Sequence, residues 1–192
     1  MIEPIFLCSR AIFDLKLNTS VLAKQVYDNK NNKEEYDSRH TFAEDNFYPE
    51  TPEGDALIAA IDKQLHNKIC PTMTTWTKWG HIMEPGESTA PHSHVGDTIN
   101  GLSWVYYLDT PENCGDLVFM SNFDGRTIIN YVKPKKNRLV VFPDFVMHYT
   151  LKNNSDKPRI SVSGNAKPDN EAIYKKGDFG NLFNMIGIYE NG

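Results

Sequence analysis

The chain has 192 residues, a formal net charge of -5 and 40% hydrophobic residues. That length supports one domain with a substantial core, and the acidic balance argues against the basic footprint that nucleic-acid or anionic-membrane binding demands. Three cysteines, Cys8, Cys70 and Cys114, stand far apart with no Cys-x-x-Cys, which fits free thiols in a reducing compartment better than a disulfide framework.

The first residues carry Glu3 where a secretory signal would be basic. Their apolar run is too short for a signal core, and no stretch reaches the roughly eighteen apolar residues of a membrane span. The expectation is a soluble, cytoplasmic protein. Residues 4–17 mix β-branched and aromatic side chains and predict an entering strand. Asn18-Thr19-Ser20 offers a cap for a short helix from Val21 to Tyr27. Residues 28–50 are crowded with Asp, Asn, Lys and Glu and predict an exposed loop or lid. Thr51-Pro52-Glu53 then supplies a cap with proline at the first helical position, and Leu57, Ile58, Ile61 and Leu65 fall on one helical stripe.

From Thr72 the pattern changes to short strands between turn residues: 72–83, 91–95, 102–109, 116–120, 127–133, 138–142, 147–152 and 159–165. Eight strands at this spacing predict a mainly β fold, a jelly roll or related sandwich, with the N-terminal helices outside one sheet. The chain reads as a single domain, 1–192, with a core at 72–165 and an N-terminal strand, helices and polar loop in 1–71. The end, 179–189, is apolar enough to dock on the core.

The chemistry concentrates in three places. His92 and His94 stand at i and i+2, so on an extended strand both imidazoles leave the same face, with backbones about 6 to 7 Å apart. His148 follows about fifty residues later, after Phe142-Pro143, and would close a three-histidine set. Imidazole suits Fe, Zn, Ni and Cu, whereas Mg²⁺ and Ca²⁺ call for oxygen ligands. His40, His66 and His81 lack such partners and are read as structural or exposed. Arg159 opens a strand on which it shares a face with Ser161 and Ser163. A guanidinium inside an apolar barrel demands an anion, and its fork of N–H donors matches a carboxylate; the bland alternative is an edge arginine paired with Asp156 or with water.

The other conspicuous residues take ordinary readings. Trp76, Trp79, Trp104 and the tyrosines are expected in the core or lining a pocket. Cys114 beside Gly115 reads as a turn cysteine, and Lys133-Pro134-Lys135-Lys136 as a solvated turn.

In order, His92-x-His94, Trp104-Val105-Tyr106-Tyr107-Leu108, Gly115-Asp116-Leu117-Val118-Phe119, Asn137 to Pro143, His148 and Arg159-Ile160-Ser161-Val162-Ser163 resemble the Fe(II)/2-oxoglutarate-dependent oxygenases, over roughly residues 72–165. The resemblance implies a double-stranded β-helix and a dioxygenase, most often a hydroxylase. It implies Fe(II) on His92 and His148, 2-oxoglutarate with its far carboxylate on Arg159 and Tyr107 helped by Ser161 or Ser163, O₂, and a prime substrate chosen by loops such as 28–50. The family's strand normally reads His-x-Asp, and His94 stands where that aspartate is expected; Asp97 is the alternative ligand. Gly86, His92-x-His94 and Pro143-x-x-x-x-His148 also resemble the cupins, which share the fold and would hold a metal without 2-oxoglutarate. A non-catalytic jelly-roll binding protein is the third possibility.

Overall fold

The computed structural model describes residues 9–30, 48–94, 101–123 and 125–168. Elements run in the order β1 (Ala11–Asp14), α1 (Ser20–Lys30), α2 (Pro52–Lys68), β2 (Met73–Met83), β3 (Leu102–Asp109), β4 (Leu117–Phe123), β5 (Arg126–Val132), β6 (Arg138–Pro143), β7 (Met147–Thr150) and β8 (Arg159–Pro168). Two antiparallel sheets result, one in the order β1-β6-β3-β8-β2 and one in the order β5-β4-β7. An isolated bridge from His92 to His148 adds a short fourth rung beside β7. This is the predicted jelly-roll arrangement.

Helix α2 begins as its sequence dictates. Thr51 sits in extended conformation and its hydroxyl accepts the Gly54 N–H at 3.2 Å, Pro52 follows, and Glu53 and Asp55 place negative charge in the first turn. Leu57, Ile61 and Leu65, each on the same stripe, are buried. With Leu22 and Val26 of α1 they cover the outer face of the larger sheet, where Leu102, Trp104, Tyr106 and Leu108 of β3 meet Val141 of β6 and Ile160 and Val162 of β8. Each such buried side chain contributes about 1.5 to 3 kcal/mol, so the helices brace the sheet from behind. Helix α1 runs on past Tyr27 to Lys30, longer than its sequence predicts.

The opposite residues of the same strands point into the barrel. Val105 and Tyr107 of β3 and Val140 and Phe142 of β6 face Leu117 and Phe119 of β4 and Val132 of β5. Strand β3 is therefore covered on both faces, which is why its sequence is apolar without alternation. The phase of β2 is set by a bulge. Thr75 pairs with Ala166 and Thr77 with Asn165, leaving Trp76 as the extra residue. Trp76 is consequently 46% exposed, under the Lys167 ammonium at 4.6 Å, and not in core or pocket as its residue type suggests. Trp79, three residues on, faces inward.

Several expectations change in detail. Of the strand expected at 91–95, the described residues 91–94 do not form a continuous strand; only His92 forms a bridge. The strand expected at 147–152 ends at Thr150, and the entering strand covers 11–14 of the predicted 4–17. Cys114 is a buried free thiol, and Cys70 is buried with its Sγ 3.4 Å from the Thr72 hydroxyl. In the 133–136 turn, Lys135 pairs with Asp14. Cys8, His40, most of the 28–50 loop, Asp97 and the apolar end 179–189 lie outside the described residues. No helix among the described residues is long and apolar enough to cross a membrane.

Candidate metal centre

His92 and His148 are brought together by main-chain pairing. The His92 N–H donates to the His148 carbonyl at 2.9 Å and the His148 N–H to the His92 carbonyl at 2.8 Å. Two residues along, the His94 N–H donates to the Asp144 carbonyl at 2.8 Å. Behind them, Thr89 and Thr150 form a reciprocal clamp: each hydroxyl accepts the other residue's N–H, at 3.1 and 2.8 Å. The segment carrying both histidines is thus laced to β7 without being a regular strand.

The three rings converge. Ring centroids lie 5.0 Å apart for His92 and His94, 4.2 Å for His92 and His148, and 5.1 Å for His94 and His148. One nitrogen from each falls within 4.8 Å of the others, close enough for one transition-metal ion to gather them. Among the described residues this is the group of three that offers such a set.

Two of the rings have a fixed tautomer. Nδ1 of His92 lies 2.9 Å from the Ala90 carbonyl, and Nδ1 of His148 lies 2.9 Å from the Val146 carbonyl. A carbonyl only accepts, so each Nδ1 carries the proton and each Nε2 keeps a lone pair. Burial lowers the basicity of all three imidazoles, pushing His94 down to about 4 and His148 to about 3, with the neighbouring His92 adding to both shifts. At neutral pH the trio is uncharged and unprotonated at the coordinating positions, the state a metal requires.

These rings line a cleft of about 720 Å³, measured out to its open mouth, together with Tyr107, Arg159, Ser161 and Ser163. The seven described residues assigned to the site from the sequence, His92, His94, Tyr107, His148, Arg159, Ser161 and Ser163, all line it. Arg159 is only 2% exposed. Its Nη1 donates to the Gly115 carbonyl at 3.1 Å, its Nε finds no partner, and its carbon lies 5.7 Å from the Tyr107 ring centre. No carboxylate pairs with it among the described residues, so the bland reading, an edge arginine on Asp156, does not hold. A buried guanidinium with an unused donor is costly unless an anion joins it. Burial also pushes the Tyr107 phenol up to about 12, against the pull of Arg159, which keeps it a neutral donor. Gly115 permits the Arg159 contact: its φ of +85 suits glycine, and a Cβ would collide with the Leu151 carbonyl.

The donor set fits Fe(II), and the unsatisfied guanidinium fits a small dicarboxylate beside it. The cleft also contains residues that motif reading missed. His81, read as structural or exposed, lines it because β2 pairs with β8 in the register His81 to Ser161, with Tyr107 opposite Ser161 on the other side. Trp79 stands against His94, with ring centres 5.6 Å apart. Thr89 and Thr150 line it as well. Only the alternation of Trp79, His81 and Met83 along β2 hinted at a shared inner face.

Residues 77–165 match the family of 2OG-Fe(II) oxygenases. No curated protein matches the chain. Among solved structures, a Pseudomonas putida prolyl-4-hydroxylase has a similar fold, with a TM-score of 0.57 and 20% identity over 83% of this chain and 88% of that one. A viral collagen prolyl hydroxylase from Paramecium bursaria Chlorella virus-1 gives a TM-score of 0.57 and 15% identity over 88% and 96% of the two chains. An oxidoreductase of the 2OG-Fe(II) oxygenase family from Burkholderia pseudomallei gives 0.52 and 13% over 64% and 61%. Residues 77–165, the stretch that carries the three imidazoles and Arg159, are thus similar to the 2OG-Fe(II) oxygenases, oxidoreductases that use Fe(II) and 2-oxoglutarate.

Proposed function

We propose that the protein is a hydroxylase in which His92, His94 and His148 hold Fe(II) while Arg159 and Tyr107 bind the far carboxylate of 2-oxoglutarate, assisted by Ser161 and Ser163. The observation that carries this reading is the buried, half-satisfied guanidinium in the same cleft as the imidazoles. A cupin-type metal site would have no use for it.

When bound, the metal would activate O₂, with 2-oxoglutarate and the substrate each giving two electrons, so that one oxygen atom would end in succinate, formed with loss of CO₂, and the other in a hydroxyl group on the substrate. The chain's own residues do the rest. Three neutral imidazoles leave the ion its full double-positive charge, which favours a dianionic co-substrate where a carboxylate ligand would weaken the attraction. Arg159 neutralises the other end, and Tyr107 donates to the same carboxylate without ionising. Val105, Leu117 and Phe142 keep the cleft wall apolar, which limits water near the oxidant. Hydroxylation is the outcome named for the two prolyl hydroxylases of similar fold. The catalytic core spans 72–165 within a single domain, and the free thiol of Cys114 suits a cytoplasmic setting. The acidic charge disfavours a nucleic-acid partner.

The test is conversion of 2-oxoglutarate to succinate by the purified protein with Fe(II) and O₂, with or without substrate. Succinate above the level of free Fe(II) supports the reading. Metal binding with no succinate would leave a cupin-like site instead.

A further inference from the structure

A second groove, of about 770 Å³, adjoins the metal cleft, and Phe142 lines both. Its walls mix apolar side chains, Phe119, Met120, Ile128, Phe142 and Val146, with the polar Ser9, Ser121 and Asn130. Phe142 touches the metal-ligand ring directly, its centre 4.7 Å from that of His148, and Phe119 lies 6.4 Å from the same ring. Ile128 is 53% exposed in the groove, a large apolar side chain left open to solvent beside others of its kind.

One charge stands at this groove. Arg10 lies over the Phe119 ring at 5.6 Å, and no carboxylate pairs with it among the described residues. Among the described residues no acidic side chain lines the groove. Its chemistry is a mixed trough, apolar along Phe119, Phe142 and Val146 and ending in the Arg10 guanidinium. We infer that this groove seats the prime substrate, and that the substrate is an amphipathic carboxylate whose anionic end meets Arg10 while its apolar stem lies along Phe119 and Phe142 towards His148. The assignment of the groove as the substrate seat rests on the oxygenase reading above. Because Arg10 is exposed, the charge contact is open to screening, so affinity falls as salt rises.

The experiment uses the full chain loaded anaerobically with Fe(II) and 2-oxoglutarate, with phenylbutyrate and its uncharged counterpart phenylbutanol as probes in calorimetric titration. Phenylbutyrate is expected to bind about two- to fivefold tighter than phenylbutanol at low salt, the yield of one exposed charge contact. Arg10→Gln is expected to remove that difference without changing 2-oxoglutarate binding. Ile128→Glu, on an exposed position that folding does not depend on, is expected to weaken phenylbutyrate more than phenylbutanol. Equal affinity for the two probes in the unaltered protein, no binding of either, or an unchanged preference in Arg10→Gln overturns the assignment of the groove. Failure of 2-oxoglutarate itself to bind overturns the oxygenase reading, a separate result measured in the same titration series.

Discussion

His92 and His148 exchange both of their main-chain hydrogen bonds, so the two ligands most distant in sequence form one rung of a sheet. Each also sends its Nδ1 proton to the carbonyl two residues before it. The backbone therefore fixes both where these rings stand and which nitrogen faces the metal. Side-chain chemistry at the centre is a consequence of strand pairing.

Two variants separate the roles proposed for the cleft. His148→Ala removes a ligand and is expected to weaken Fe(II) binding by more than about 100-fold, beyond what loss of an outer-shell partner costs. Arg159→Ala is expected to leave the metal bound while weakening 2-oxoglutarate by about 100-fold, the scale of a lost charged contact in a buried site. Calorimetric titration of metal and then co-substrate measures both. Equal loss of metal in the two variants contradicts the division.

His94→Asp addresses the departure from the usual His-x-Asp pattern. The main chain at this position is anchored through the His94 N–H to Asp144, so a carboxylate is presented from the same place. Fe(II) binding should persist and 2-oxoglutarate should bind several-fold more weakly, because the ion's charge falls by one. Complete loss of metal from this variant would show that the site depends on the longer imidazole.

The three imidazoles give the metal-free protein a defined pH response. Their folded-state pKa values lie below the ordinary 6.5, near 4 for His94 and near 3 for His148. Between those values and 6.5 the unfolded chain binds more protons than the folded one. Stability is thus fully present above about pH 6.5 and is lost as pH falls towards 3. Thermal melting of the apoprotein across this window should show a falling midpoint, and the slope should be shallower in His148→Gln. Identical slopes would mean that this ring is not buried and neutral.

The Thr89 and Thr150 clamp substitutes side-chain hydroxyls for strand pairing just before the metal ligands, and Thr150 also donates to Met83 Sδ at 3.2 Å. Thr150→Val keeps the shape and removes the hydroxyl, leaving the Thr89 N–H unpaired. The expected cost is about 1 to 3 kcal/mol of stability together with weaker Fe(II) binding, and Thr150→Ser should restore both. Loss of stability with unchanged metal affinity would mark the clamp as merely structural.

Much of this was readable from the residues alone. The strand 102–109 falls where its mostly apolar pattern puts it, α2 follows its cap and stripe, and the motif residues His92, His94, His148 and Arg159 line one cleft. What escaped depends on register. His81 faces the cleft because it pairs with Ser161, and Trp76 turns outward because a bulge consumes it; neither pairing leaves a local signal in the chain. Arg10 and Phe142 come together only when the end of β6 closes beside the residues before β1, a contact more than a hundred residues apart in sequence. The irregular link at 91–94 leaves no local signal either, because its main-chain bonds go to His148 and to Asp144, some fifty residues away.

The most direct measurement is an anaerobic titration of the purified protein with Fe(II) and 2-oxoglutarate, followed by visible absorption. A metal-to-ligand charge-transfer band should appear, saturate at one equivalent of each, and vanish in His148→Ala. A featureless spectrum from the unaltered protein, with both added in excess, contradicts the account.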